Sequence, residues 1–204
     1  MRASMITILV TVGLLVGKSA FGGFDPEPNK LGLYFDLEAR FPCEVAYPFE
    51  SVTAYLILTN ATSDMLFGWE AAVRPVSEEL FVGSAEVMGG GTNSLEAPEF
   101  AVTYESPLET ESVTVLATFE LASLVYEENC LILTGISSPS LPEDLPLIWW
   151  EASVPSVIQT TNIQPNGVVA SIGGCPVVPE SPWPCANEVP VSRFNWGSLK
   201  SIYR

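Results

Sequence analysis

Histidine is missing from this chain of 204 residues, and cations are few: 8 Lys and Arg against 24 Asp and Glu, a formal charge of −16. Without imidazole, Ser-His-Asp and Cys-His nucleophile activation, His-ligated zinc, His₂Cys copper and the neutral-pH proton switch are all excluded. A chain so poor in Lys and Arg cannot displace phosphate counterions in quantity, which excludes nucleic acid as a partner. Aspartate is scarce too, at positions 25, 36, 64 and 144 only, and no D-x-[DN]-x-[DN]-G loop is present. No cofactor is therefore expected. A structural Ca²⁺ stays an alternative with no motif to support it and no ligand set to name.

What the chain has in quantity is apolar and turn-forming residues, 48% and 17 Pro with 15 Gly. One domain with a sizeable core is the expectation at this length. The address comes first. Arg2 precedes an apolar run at 5–16, and Ala20 and Gly22 occupy the −3 and −1 places of a cleavage site. Positive start, short apolar stretch and small-residue exit are the order of a secretory signal peptide, 1–22. Twelve residues rise only about 18 Å as a helix, against roughly 30 Å of hydrocarbon, so no transmembrane segment is expected after cleavage. Removing 1–22 takes away Arg2 and Lys18 and no acid, which leaves 6 − 24 = −18.

All four cysteines, Cys43, Cys130, Cys175 and Cys185, fall in the exported part. An even number in an oxidising compartment reads as disulfides, and three connectivities exist on paper. Cys175 and Cys185 enclose nine residues, four of them Pro, which favours a local bridge. The remaining pair would be Cys43–Cys130, a staple across 86 residues worth roughly 4–5 kcal/mol on the chain-entropy model.

From 31 to 172 the dominant period is two. Val52, Ala54, Leu56 and Leu58 alternate with Thr53, Tyr55, Ile57 and Thr59; Phe67, Trp69, Ala71 and Val73 share a face; Val113, Val115, Ala117, Phe119 and Leu121 form the longest run. Further strands are expected at 31–37, 80–87, 100–104, 130–133, 147–150 and 168–172. Breakers stand at 61–64, 89–93, Ser106-Pro107, 138–142 and 164–167. Alternation of this kind makes strands with one face on a core. Eight or nine short strands predict an all-β antiparallel sandwich, residues 23–172. A short helix at 121–128 is conceivable but not required.

The end differs in composition. Residues 173–190 are rich in Pro and Cys and read as a disulfide-closed loop or linker. Then 191–204 sets Trp196, Leu199, Ile202 and Tyr203 at helical spacing, with Lys200 and Arg204 among three cations and no acid. A short, basic, amphipathic C-terminal helix is expected there, as a docking or sorting element.

The strand residues Leu31-Gly32-Leu33-Tyr34-Phe35-Asp36, then Cys43, Thr53-Ala54-Tyr55-Leu56-Ile57-Leu58-Thr59-Asn60, Gly68-Trp69-Glu70 and 113–121 together resemble cohesin-like secreted β-sandwich modules. The end, Trp196-Gly197-Ser198-Leu199-Lys200-Ser201-Ile202-Tyr203-Arg204, is similar to that of exported proteins of environmental bacteria. The resemblance implies a jelly-roll-like sandwich, secreted or held at the cell surface or in the periplasm of a bacterium. It also implies a sheet face offered to a partner, in cohesins typically a Ca²⁺-loaded dockerin. Four cysteines depart from that family, so no individual binding residue is carried over.

Adjacent acids occur at Glu78-Glu79, Glu127-Glu128 and Glu143-Asp144. A glycosidase needs two carboxylates facing each other about 5–9.5 Å apart, and neighbours along a strand point to opposite faces. Solvated loop acids explain these pairs better, and no enzyme is expected. Among the aromatics, Trp69 lies in phase with the core, whereas Trp150 and Trp183 are the candidate contacts for a sugar or a protein. The Gly89-Gly90-Gly91 run has no following Lys and reads as a hairpin tip rather than a phosphate loop. The function expected is that of a secreted, non-enzymatic module binding a protein or a surface polymer. The alternative is a carbohydrate-binding module or carboxylate glycosidase.

Overall fold

The computed structural model describes residues 25–125, 128–163 and 167–173. The expected signal peptide 1–22, the tail helix 191–204, Trp183 and the Cys175–Cys185 bridge lie outside the described residues.

Thirteen strands form among the described residues: β1 (Lys30–Tyr34), β2 (Cys43–Glu44), β3 (Ser51–Thr59), β4 (Met65–Pro75), β5 (Leu80–Val87), β6 (Thr92–Asn93), β7 (Glu99–Glu109), β8 (Val113–Ser123), β9 (Asn129–Thr134), β10 (Leu147–Glu151), β11 (Val154–Val157), β12 (Gln159–Thr160) and β13 (Val168–Ile172). No helix occurs among the described residues. One sheet runs β12-β1-β3-β8-β5 and the other β11-β10-β4-β9-β13-β2, with β7 on β4 and β6 on β7. Strand β4 organises the second sheet. One of its edges carries β7, and the other is shared end to end by β10, against residues 68–70, and β9, against 72–75.

The in-facing positions of both sheets meet in one core that includes Leu33, Leu56 and Leu58 from the first and Trp69, Phe100 and Leu133 from the second. Trp69 stacks on Phe100 at 5.5 Å between ring centroids, and Phe100 meets Phe119 edge-on at 5.3 Å. This chain of rings ties the two sheets together across the sandwich. A second, smaller cluster of Tyr34, Ala39 and Ile57 forms on the outer face of the first sheet, with Tyr55, Val113 and Val115 packed against it. Asp36 Oδ1 shapes the segment after β1 by accepting the N–H groups of Arg40 and Phe41 at 2.8 Å each. Burial pushes the Tyr34 phenol well above its ordinary range.

The all-β sandwich is as the alternation predicts, but particulars differ. Strands among the described residues number thirteen rather than eight or nine, because β2, β6 and β12 are two-residue pairings and β11 a four-residue one that no periodicity announces. Two contacts, β1–β12 and β2–β13, are parallel. Ser106-Pro107 does not end a strand. Strand β7 continues to Glu109 while its register against β4 jumps from Thr103↔Gly68 to Leu108↔Leu66, so the loosened residues absorb the proline. The conceivable helix at 121–128 begins instead inside β8, which runs to Ser123.

The Cys43–Cys130 staple is also corrected. Ser171 on β13 pairs with Cys43 on one edge and with Cys130 on the other. The two cysteines are thus two strand spacings apart, about 10 Å, beyond the roughly 7 Å that a disulfide spans between Cα atoms. Cys43 is disulfide-bonded, and Cys130 Sγ lies 3.5 Å from Glu128 Oε1.

Candidate functional site

A concave surface among the described residues begins with an irregularity in β4. The register shift between Leu66 and Gly68 lets both Leu66 and Trp69 reach the core, at 0% and 1% exposure. Phe67 therefore leaves the face that strict alternation assigns it and lines a cleft on the outside of the second sheet. Gly68 is required where it is: a Cβ there would stand 2.6 Å from the Val102 carbonyl oxygen and 3.6 Å from Trp149 Cε3. Trp149 is the cross-strand partner of Gly68. Its indole lies against bare backbone.

The cleft encloses about 380 Å³ and is lined by Phe67, Gly68, Glu70, Thr103, Ser140 and Trp149, with neighbouring backbone of β7 and Ala152. Glu70 is 6% exposed. The segment between β9 and β10 folds over this face and is pinned by two carboxylates. Ser140 donates its N–H to Glu70 Oε2 at 3.1 Å and its hydroxyl to Glu70 Oε1 at 2.6 Å. Ser137 donates its hydroxyl to Glu99 Oε1 at 2.5 Å and its N–H to the same carboxylate at 3.2 and 3.3 Å. Arg74 completes the second anchor, with Nη2 to Glu99 Oε1 at 2.8 Å and Nε to Thr134 Oγ1 at 3.0 Å. The Ser137 hydroxyl is the chief cause holding the Glu99 carboxyl below its ordinary range; burial opposes it, and the Ser137 N–H and Arg74 add to it. A carboxylate kept ionised in this way is suited to anchoring a loop, not to donating a proton.

Trp150 packs against the core. Its neighbour Trp149, not Trp150, faces the cleft, so the candidate ligand contact moves by one residue. Glu78, Glu79, Glu128, Glu143 and Asp144 are exposed, and none lines the cleft. Among the described residues, no group of three or more Cys, Asp or Glu is gathered for a metal ion. Glu70 and Thr103 escaped the sequence reading. The only trace of the cleft in the sequence is a glycine directly before a core tryptophan.

A second feature lies at one end of the sandwich. Phe49 is 78% exposed, with φ at 67°, and its N–H donates to the Ser123 carbonyl at 2.8 Å. Phe81 pairs with Ala122 and is 62% exposed, and Leu124 follows at 46%. Positive φ in a bulky residue is an outlier that the surroundings must enforce.

No helix among the described residues is long and apolar enough to cross a membrane. No protein-family model and no curated protein sequence matches the chain. Solved structures do. The sixth cohesin of scaffoldin B from Acetivibrio cellulolyticus, in complex with a Cel5 dockerin mutant, is similar with a TM-score of 0.50 at 11% identity, over 72% of this chain and 98% of that one. A non-cellulosomal cohesin from the archaeon Archaeoglobus fulgidus gives 0.47 at 8% identity, over 72% and 90%. A type II cohesin domain from the Acetivibrio cellulolyticus cellulosome gives 0.43 at 14%, over 72% and 96%.

Proposed function

We propose that this cohesin-like sandwich is a non-catalytic module that is exported and holds a protein partner at its apolar end. Phe49 carries the proposal. A phenylalanine held at positive φ with four-fifths of its surface in water is costly to the isolated molecule, and the cost is recovered when a partner covers the ring. Phe81 and Leu124 extend the apolar surface, and Glu50, Glu79 and Glu120 are exposed around it. The partner expected is a protein with an aliphatic or aromatic anchor ringed by Lys and Arg. The fold likeness agrees with such a use, since the cohesin of scaffoldin B was solved in complex with a dockerin. Export rests on residues 1–22. The basic segment 191–204, through Trp196, Leu199, Lys200, Ile202, Tyr203 and Arg204, is proposed to set where the exported protein is retained.

The test is capture of a protein from the medium of the natural host on the immobilised chain. A partner whose retention falls at least tenfold in a Phe49→Ser/Phe81→Ser variant supports the proposal, and equal retention removes the apolar end as the site. Deleting 191–204 is expected to shift the protein between cells and medium with little change in melting temperature. A large loss of stability instead would assign the segment to packing on the acidic body.

A further inference from the structure

The outer cleft of the second sheet is independent of the apolar end and has a chemistry of its own. Its floor crosses three strands, from Ala101 and Thr103 on β7, over Gly68 and Glu70 on β4, to Trp149 on β10. Two strand spacings make this about 10 Å wide. Its volume of about 380 Å³ is in the range of small-molecule sites, about 300–1,000 Å³. Thr103, Ser140 and Ala152 are exposed, so the cleft opens to solvent on that side.

Three observations define what it takes. Glu70 is buried, and among the described residues it has no ion-pair partner; Ser140 alone supplies its hydrogen bonds. A carboxylate has about four lone-pair sites, so acceptor capacity remains on a group that burial penalises until it is used. Trp149 lies against the Gly68 backbone, an arrangement that offers a flat indole as a platform. The other polar side chains of the lining, Thr103 and Ser140, are neutral hydroxyls, and no cation is among the lining residues. An anion finds no counter-charge here. A purely apolar ligand would bury the carboxylate without a donor. A small ammonium head would meet the charge but leave most of the volume and both hydroxyls unused.

We propose that the cleft is a binding site for a neutral saccharide, one pyranose ring stacking on Trp149 while its hydroxyls donate to Glu70 and exchange hydrogen bonds with Thr103 and Ser140. Stacking supplies apolar contact to the C–H face of the sugar, and the buried carboxylate selects for hydroxyl donors.

Titration of the full chain with neutral hexasaccharides of glucose, xylose, mannose and N-acetylglucosamine, followed by amide and indole NMR shifts, tests the proposal. At least one probe is expected to shift the Trp149 indole resonance. Affinity should fall at least tenfold in Trp149→Ala, be partly restored in Trp149→Tyr and fall several-fold in Glu70→Gln. Phe81→Ser, remote from the cleft, should bind as the unaltered chain does, which separates this site from the apolar end. Should no neutral probe bind, or should binding survive Trp149→Ala in a folded variant, the proposal is overturned. Choline displacing or replacing the sugars at Trp149 would reassign the cleft to a cation and overturn it equally.

Discussion

Trp149 and Trp150 are neighbours in the chain and occupy opposite environments: Trp149 lies against Gly68 in the outer cleft, and Trp150 packs on the core. The strand's two-residue period enforces the division. Trp150→Ala is therefore expected to destabilise the protein by about 2 kcal/mol or more through loss of core packing, whereas Trp149→Ala costs about 1 kcal/mol or less. Urea unfolding of both variants checks this, and equal losses would contradict the assignment of faces.

Trp69 Nε1 donates to the Tyr104 hydroxyl at 3.1 Å, and both residues are buried. Burial pushes the Tyr104 phenol above its ordinary value, against the lowering effect of that bond. Tyr104→Phe strands the indole N–H in the core and should cost about 1–3 kcal/mol. A change of only a few tenths would mean that Trp69 finds another acceptor.

Glu99 gives the segment over the cleft a dependence on pH. Its carboxyl is held below the ordinary range in the folded protein. The stabilisation is thus fully present above the unfolded value, about 4.3, and is lost as pH falls through the lower folded value. Limited proteolysis by an acid-active protease should cut near Ser137 increasingly as the pH drops below about 4. In Glu99→Gln the cutting should already be fast at pH 5 and change little on acidification.

Cys43 is disulfide-bonded, while β13 stands between it and Cys130. Peptide mapping without reduction is expected to recover Cys43 joined to Cys175 or Cys185. Recovery of a Cys43–Cys130 peptide would show that the pairing of β2 with β13 is wrong.

Phe49 has φ at 67°. Glycine adopts this conformation freely and alanine does not, so Phe49→Gly should be more stable than Phe49→Ala by about 1 kcal/mol. Thermal melts of the pair measure the strain at this position, and the reverse order would remove strain from the case for the apolar end.

The legible part of the fold was the part governed by local repetition. Strand β5 at 80–87 and β13 at 168–172 were expected to the residue, and Trp69 was placed in the core from its phase with Ala71 and Val73. Two-residue strands such as β2 and β12 left no signal, because a pairing that short contains no full period. The cleft was hidden for a related reason. Phe67 changes face through a register shift, and a shift is a property of two strands rather than of one.

By itself, then, the sequence determined the class of fold, the exclusion of histidine chemistry and the strongly negative charge, since composition and a period of two act along the chain. Only the tertiary structure decided which tryptophan lines the cleft, which acids gain partners and which cysteines can reach one another. Glu70 and Ser140 are 70 residues apart in sequence and become partners when the β9–β10 segment crosses the sheet. Cys43 and Cys130 both border β13 and are separated by it. Each outcome depends on distances between strands, and those are set when the sheets assemble.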